Sequence, residues 1–188
     1  YKTLKIGTQS WMAENLKTSR YRNGDLIGTT TPSTLDISGE STPKYQWAYS
    51  GNENNVTTYG RLYTWYAVTD TRNVCPTGWH VPSDTEWTTL TNYLGGIDVA
   101  GGKLKESSTT HWISPNTGAT NESGFTAFPG GFRDLDGMSV NIGYAGYWWS
   151  ATESNVTDAW ERYLDHSGSD LREVFYGKQS GFSVRCLK

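Results

Sequence analysis

Residues 75–87 read Cys-Pro-Thr-Gly-Trp-His-Val-Pro-Ser-Asp-Thr-Glu-Trp. Within this stretch Ser83 and Glu86 have the S-x-x-E spacing of a capping box, in which each side chain accepts a hydrogen bond from the other residue's main-chain N–H. The i, i+3, i+4, i+7 spacing of one helical face follows, at Trp87, Leu90, Thr91 and Leu94. Gly95 and Gly96 then supply the left-handed conformation that ends many helices. The sequence therefore predicts a helix over residues 84–94.

The composition is typical of a loop-rich chain with an aromatic interior. The 188 residues are enough for one domain with a real core, and they include nine tryptophans and 21 glycines. Few windows show helical periodicity, which favours many short strands between long loops. We therefore expect a single domain over residues 1–188.

The charge pattern bears on partners and location. A net charge of −3 without any Lys/Arg cluster argues against nucleic-acid binding, because phosphate neutralisation needs a basic surface. No apolar run has the length of a membrane span, so we expect no membrane insertion of this domain. No signal peptide is visible, but the chain begins at Tyr1 in what reads as a strand. We interpret it as part of a longer protein, so the missing leader is no evidence for the cytoplasm.

The two cysteines, Cys75 and Cys186, lie 111 positions apart. They are either two buried thiols of a cytosolic protein or one disulfide. The polar, tryptophan-rich composition is typical of secreted domains and favours the disulfide. Closing a loop of this length would contribute about 4–5 kcal/mol in the chain-entropy model.

Turn signals and periodicity predict the other elements. A hairpin is expected over residues 1–16 and a polar loop over residues 29–43. The spacing of Leu62, Trp65, Tyr66 and Thr69 predicts a helix near residues 60–69, and a short helical segment is expected over residues 99–106. Short strands are expected in the second half, at residues 125–128, 132–133, 147–152, 159–164, 171–176 and 182–187.

Six blocks occur in order along nearly the whole chain: 7–16 (GTQSWMAENL), 60–65 (GRLYTW), 75–83 (CPTGWHVPS), 124–133 (GFTAFPGGFR), 146–152 (GYWWSAT) and 181–187 (GFSVRCL). Together they resemble the Fibrobacter succinogenes major paralogous domain. The resemblance implies a cell-surface or secreted protein of a Fibrobacter- or Bacteroidetes-type bacterium, often a lipoprotein. It implies no particular activity.

A wider resemblance bears on the fold. Residues 80–87 are similar to the helix-entry motif of formylglycine-generating enzymes, and residues 181–185 are similar to their closing strand. Those enzymes and the C-type lectins share one fold. The resemblance therefore implies an α+β, C-type-lectin-like domain with two main helices and a mixed, mainly antiparallel sheet of short strands with long loops. A cysteine link into the last strand fits that fold.

The sequence gives less support to an enzyme than to a non-catalytic binding module. Formylglycine-generating enzymes use two cysteines close together, whereas Cys186 has no second cysteine near it in sequence. Nucleophile-elbow, zinc-protease, P-loop and dinucleotide-binding motifs are missing, and the three histidines, His80, His111 and His166, are dispersed. We therefore expect a non-catalytic protein, with an enzyme related to the formylglycine-generating fold as the alternative.

Tryptophans are the candidate ligand contacts. Trp148 and Trp149 are neighbours on an expected strand, so they must point to opposite faces, and one of them can reach the surface to stack on a sugar ring. Trp112 lies beside the longest polar loop and is the better candidate for an exposed sugar platform. The alternative is that all three pack inside, beneath the loops.

Oxygen-bearing side chains in the expected loops are candidate ligands of a structural calcium ion, which takes six to eight oxygens. They are Asn116, Asn121, Glu122, Asp134, Asp136 and Glu153. The alternatives are that Asp-Gly at residues 136–137 marks a turn and that the asparagines cap their own loop.

These observations predict a non-catalytic binding module, exported to the outside or the outer-membrane surface of a bacterium, whose parent protein is lipid-anchored. Its expected partner is a glycan or a surface protein, recognised through loops at one end of the fold. Buried aromatics would make the module rigid, while Ser/Thr/Asn loops adapt to partners. An adhesin is the simplest example of such a protein.

Overall fold

A computed structural model describes residues 2–188 as an α+β domain with few, short helices and a mostly antiparallel, curled sheet. The helices are α1 (Asn54–Tyr59), α2 (Trp65–Val68), α3 (Asp84–Tyr93) and α4 (Ile97–Leu104). The strands are β1 (Thr3–Ile6), β2 (Gln9–Met12), β3 (Gln46–Trp47), β4 (Leu62–Tyr63), β5 (Gly130–Arg133), β6 (Ser139–Ile142), β7 (Ala145–Glu153), β8 (Asp158–Asp165) and β9 (Arg172–Gly177).

The main sheet has five strands in the order β6-β5-β7-β8-β9. Its neighbours run antiparallel except β5 and β7, which pair in parallel through Gly131 and Gly146. Strands β1 and β2 form a separate hairpin, and β3 and β4 form a second small ladder. The hairpin confirms the prediction over residues 3–12, although β2 ends at Met12 rather than Leu16. Tyr1, the first residue of the predicted hairpin, lies outside the described residues.

The predicted capping box is present at the start of α3. Ser83 Oγ accepts from the Glu86 N–H at 3.3 Å, and Glu86 Oε2 accepts from the Ser83 N–H at 2.8 Å. The other Glu86 oxygen lies 2.8 Å from His80 Nε2, so one carboxylate fixes both the helix start and the chain leading into it. The helix prediction for residues 84–94 is therefore confirmed to within one residue.

Other element predictions are wrong where tertiary contacts override local spacing. The helix predicted near residues 60–69 is replaced by β4 and the single turn α2, because Leu62 and Tyr63 pair with β3 and with Phe182. Residues 125–128 and 182–187 form isolated bridges rather than strands, since their main-chain groups bond to several different segments. The short helix expected at 99–106 is α4, which begins two residues earlier, at Ile97.

The core lies on both sides of the sheet, and neighbouring tryptophans divide it. Trp149 belongs to one buried cluster with Tyr63, Phe182 and both cysteines. Trp148 belongs to the other, with Trp11 and Trp87. The expectation that Trp148 and Trp149 point to opposite faces is confirmed, and both are buried because each face carries its own layer.

The disulfide prediction is confirmed: Cys75 and Cys186 are bonded, with Cα atoms 6.0 Å apart. Both residues are buried. The bond holds residues 181–187 inside the domain, where Met12 N–H donates to Cys186 O at 3.0 Å and His80 N–H donates to Leu187 O at 2.9 Å.

We expect the Cys75→Ala/Cys186→Ala double variant to lose about 4–5 kcal/mol of unfolding free energy, because the unfolded chain regains the freedom of a long closed loop. Urea unfolding of the variant and of the unreduced wild type measures the difference. Reduced wild type should resemble the variant. A loss below about 1 kcal/mol would show that the crosslink constrains little.

Candidate functional site

The three tryptophans predicted as ligand contacts are buried in the core. Trp112 is 1% exposed, and its indole N–H donates to Ala127 O at 2.9 Å. The indole N–H of Trp148 donates to Asn15 Oδ1 and that of Trp149 to Tyr63 O. None of the three rings reaches solvent, so the exposed sugar platform predicted at Trp112, Trp148 or Trp149 is wrong. The loop beside Trp112 covers the ring instead of presenting it.

A different aromatic pair faces outward from the sheet. Trp160 on β8 and Phe175 on β9 are direct cross-strand partners, with ring centroids 5.7 Å apart and ring planes at 86°. Phe175 is 52% exposed and Trp160 is partly exposed. The β7–β8 register is irregular between Trp149 and Glu153, opposite Trp160. Such irregularities commonly re-aim side chains near functional sites.

A charged pair lies next to the aromatic pair on the same sheet face. Arg162 and Glu173 are cross-strand partners two residues further along, which places them about 6.6 Å from the aromatic pair. The guanidinium of Arg162 donates to Glu173 Oε2 at 2.8 Å and to Asp84 Oδ1 at 2.7 Å. Asp84 is the first residue of α3, so this ion pair fixes the helix against the strand.

A hollow continues from the charged pair between α3 and the sheet. Its volume is about 220 Å³. Thr88 and Asn92 of α3 are polar residues at its wall, and Ile97 and Leu171 are apolar ones. We call Trp160, Phe175, Arg162, Glu173 and this hollow the aromatic–charged face.

The aromatic–charged face offers two kinds of contact to a ligand. The rings present apolar surface for stacking, and the carboxylate, hydroxyl and amide groups beside them offer hydrogen-bond donors and acceptors. Arg162 is shared between the carboxylates of Glu173 and Asp84, so this face offers no uncompensated positive charge to an anionic ligand. It suits an uncharged ligand with many hydroxyl groups.

The sequence predicts both strands of this face, but it does not mark Trp160 or Phe175 as a ligand contact. Period-two alternation in residues 159–164 places the Trp160 side chain on one face of the sheet and those of Ala159 and Glu161 on the other. That alternation separates two faces without saying which face is covered. The exposure arises because β9 is the edge of the sheet, a fact that belongs to the topology.

The six predicted calcium ligands do not converge. Asn121 Oδ1 accepts from Thr126 N–H, and Asn116 donates its amide N–H groups to Glu106 O and Ser108 O. Asp134 and Asp136 each accept from a main-chain N–H of their own turn, Glu122 lies 3.7 Å from Lys103, and Glu153 pairs with Lys178. Residues 2–188 hold no group of three His, Cys, Asp or Glu side chains placed for a metal. The six residues do not fit one site, and bound calcium stays a prediction.

Two buried lysines bring loop oxygens together in the way that a cation would. Lys105 Nζ donates to Thr117 O, Asp165 O and Gly168 O at 2.7–3.0 Å. Lys178 Nζ donates to Glu153 Oε1, Asn155 O and Val156 O at 2.7–2.8 Å. Burial lowers the pKa of Lys105 to about 8. The Lys105 ammonium thereby joins two polar loops, and the Lys178 ammonium fixes the short turn between β7 and β8.

Few side chains in the described residues are suited to act as a nucleophile or as a general acid or base. Both sulfurs are committed to the disulfide. His80 and His111 each pair with a nearby glutamate, and they lie in different parts of the chain. Glu161 is a buried carboxyl on β8, and desolvation raises its pKa well above the usual value while Arg162 opposes the shift. The negative charge of ionised Glu161 acts to raise the pKa values of the nearby Tyr147 and Tyr176 hydroxyls.

Fold and surface together define a disulfide-linked α+β domain with an aromatic pair on its outer sheet face. A family model described as the Fibrobacter succinogenes major domain matches residues 4–188, and the chain belongs to that family. The resemblance of the six sequence blocks is thereby confirmed. No curated protein and no solved structure matches the chain. In residues 2–188, no helix has the length and apolar character needed to cross a membrane.

We expect Lys105→Met to lower the free energy of unfolding by roughly 3–5 kcal/mol, because three loop carbonyl oxygens lose their buried, charged donor. Lys103→Met, in the last turn of α4 two residues before Lys105, is the matched control. Its ammonium lies 3.7 Å from Glu122 at the surface, so its loss should cost under about 1 kcal/mol. Urea unfolding measures both variants. If they lost the same free energy of unfolding, the stabilising role of the buried Lys105 ammonium would be contradicted.

We expect Glu161→Gln to become more stable relative to wild type as the pH rises. Because the pKa of Glu161 is raised in the folded protein, its contribution is complete below the unfolded pKa and is lost as pH rises through the folded pKa. Between those two values the difference should grow by about 1.4 kcal/mol per pH unit. Unfolding measured from acid to alkaline pH checks this, with exposed Glu122→Gln as the control. A pH-independent difference for Glu161→Gln would contradict it.

Proposed function

We propose that this protein is a non-catalytic module that binds neutral carbohydrate chains on the aromatic–charged face. The observation that carries the proposal is the Trp160–Phe175 pair, in which Phe175 is exposed and Trp160 is partly exposed, beside a hollow with both polar and apolar walls. The face of a sugar ring is apolar and its edge carries hydroxyl groups. An aromatic surface next to hydrogen-bonding side chains is complementary to both.

The size of the hollow favours an open chain over an enclosed small molecule. Pockets for drug-sized ligands have volumes of roughly 300–1,000 Å³. The hollow here has about 220 Å³ and opens onto the sheet face. A chain lying across the face would place one unit against Phe175 and another near Thr88 and Glu173.

The rigidity of the face supports binding without rearrangement. The Arg162 side chain is almost completely buried and is held by carboxylates from two different elements. Trp160 and Phe175 lie on paired strands rather than on loops. A surface that is ordered before binding loses little conformational entropy when a ligand arrives.

The alternative, an enzyme of the formylglycine-generating type, has less support. Cys75 and Cys186 are bonded to each other and buried, so neither is a free thiol while the bond is intact. The glycan proposal needs no reactive group.

We also propose a C-type-lectin-like architecture and an extracellular or outer-membrane location in a bacterium. The architecture is supported by the bridge between Trp11 and Leu187, which joins the first and last segments, and by helices α3 and α4 beside the sheet. The location is supported by the disulfide, because such bonds persist in oxidising compartments.

A glycan array followed by calorimetry with the best neutral oligosaccharide tests the function. We expect Phe175→Ala and Trp160→Ala each to weaken binding about tenfold, since loss of an aromatic contact costs on the order of 1 kcal/mol or more. Repeating the titration with EDTA reports any calcium requirement.

Tyr93→Ala is the matched control. Tyr93 is 64% exposed but lies at the end of α3, beside Lys5 and Ile6, away from the aromatic–charged face. Its variant should bind like wild type. Sugar binding that persists in both folded β8 and β9 variants, or no binding to any neutral glycan, would reject the proposal.

A further inference from the structure

A second, larger hollow lies beside the disulfide, formed by residues 16–22 and 74–77. Its volume is about 510 Å³, within the range of roughly 300–1,000 Å³ that is usual for small-ligand sites. We propose that this hollow binds a small carboxylate-bearing molecule. The inference is independent of the aromatic–charged face, because the two hollows share no residue.

The uncompensated charges on the wall of this hollow are positive. Lys17, Arg20 and Arg22 line it, and none of the ten described lining residues is acidic. Lys17 is paired with Glu14, so the positive charge available to a ligand comes from Arg20 and Arg22. Within residues 2–188, no carboxylate forms a salt bridge with Arg20 or Arg22. This concentration of positive charge stands out in a chain whose net charge is −3.

Arg22 is held in place by neutral oxygens. Its Nε donates to Cys75 O at 3.0 Å, and its Nη2 donates to Pro76 O at 3.1 Å and Trp79 O at 2.9 Å. These bonds fix the guanidinium without cancelling its charge. Arg20 is exposed and donates from Nη1 to Gly24 O at 2.8 Å, which leaves its other N–H groups for a ligand.

The shape and the lining together select the class of ligand. A guanidinium binds a carboxylate through two parallel hydrogen bonds, which favours carboxylates over simple halide ions. Pro76 adds apolar surface, backed by the buried Leu16 and Val74, and Thr18 and Thr77 add hydroxyl groups. A ring that carries one carboxylate, whether an acidic sugar or an aromatic acid, matches these features.

Calorimetric titrations with glucuronate, benzoate and glucose test the proposal. We expect at least one carboxylate to bind, glucose to bind at least about tenfold more weakly, and Arg20→Gln to weaken carboxylate binding about tenfold, as loss of a charge-assisted hydrogen bond predicts. Preference for glucuronate would identify an acidic sugar as the source of the carboxylate. Preference for benzoate would identify an aromatic acid.

Lys5→Gln removes one positive charge elsewhere on the surface and should leave binding unchanged. Phe175→Ala should also leave it unchanged, which separates this site from the neutral-glycan site. The proposal is overturned if neither carboxylate binds, if glucose binds equally well, or if Lys5→Gln and Arg20→Gln have the same effect.

Discussion

The bond between Cys75 and Cys186 holds the last segment of the chain, residues 181–187, in the middle of the domain. Main-chain groups of this segment bond to the first hairpin, to β4, to β7 and to the stretch leading into α3. Residues 181–187 are all buried. The two halves of the core meet across this segment, so anchoring it brings together elements that have few direct contacts.

Buried lysine and arginine side chains also hold distant segments of the chain together. Long stretches of this chain have no regular secondary structure, so their carbonyl oxygens need donors from elsewhere. Four lysine and arginine side chains with at most 3% exposure supply them: Lys105, Arg133, Lys178 and Arg185. Arg133, for example, donates to Ser33 O at 2.9 Å and stacks its guanidinium over Trp47. A loop-rich fold thereby becomes ordered without a large helical or sheet framework.

This rigid construction explains why aromatic content is a poor guide to binding here. Five of the nine tryptophans are among the largest fully buried side chains, and they fill the space that aliphatic residues occupy in other domains. The more exposed rings of Phe175 and Trp160 lie at the edge of the main sheet, on the edge strand β9 and its neighbour β8. An edge strand has one partner instead of two, and its outer face has less to pack against.

The sequence by itself determined the local features that depend on neighbouring residues. The capping box at Ser83 and Glu86, the first hairpin, β7 to β9 and the opposite orientations of Trp148 and Trp149 all follow from short-range spacing. The family also followed from blocks of sequence, and composition favoured the disulfide over free thiols.

Tertiary structure alone decided the rest. Leu62 and Trp65 have helical spacing, yet pairing with β3 and Phe182 draws Leu62 into a strand. The loop beside Trp112 reads as an exposed platform, yet it folds over the ring because Lys105 ties that loop down. Phe175 is a candidate ligand contact because it lies on an edge strand, and Arg20 is one because it lines a hollow. Both facts depend on the tertiary structure. Spacing records which residues share a face, whereas exposure depends on what distant segments place upon that face.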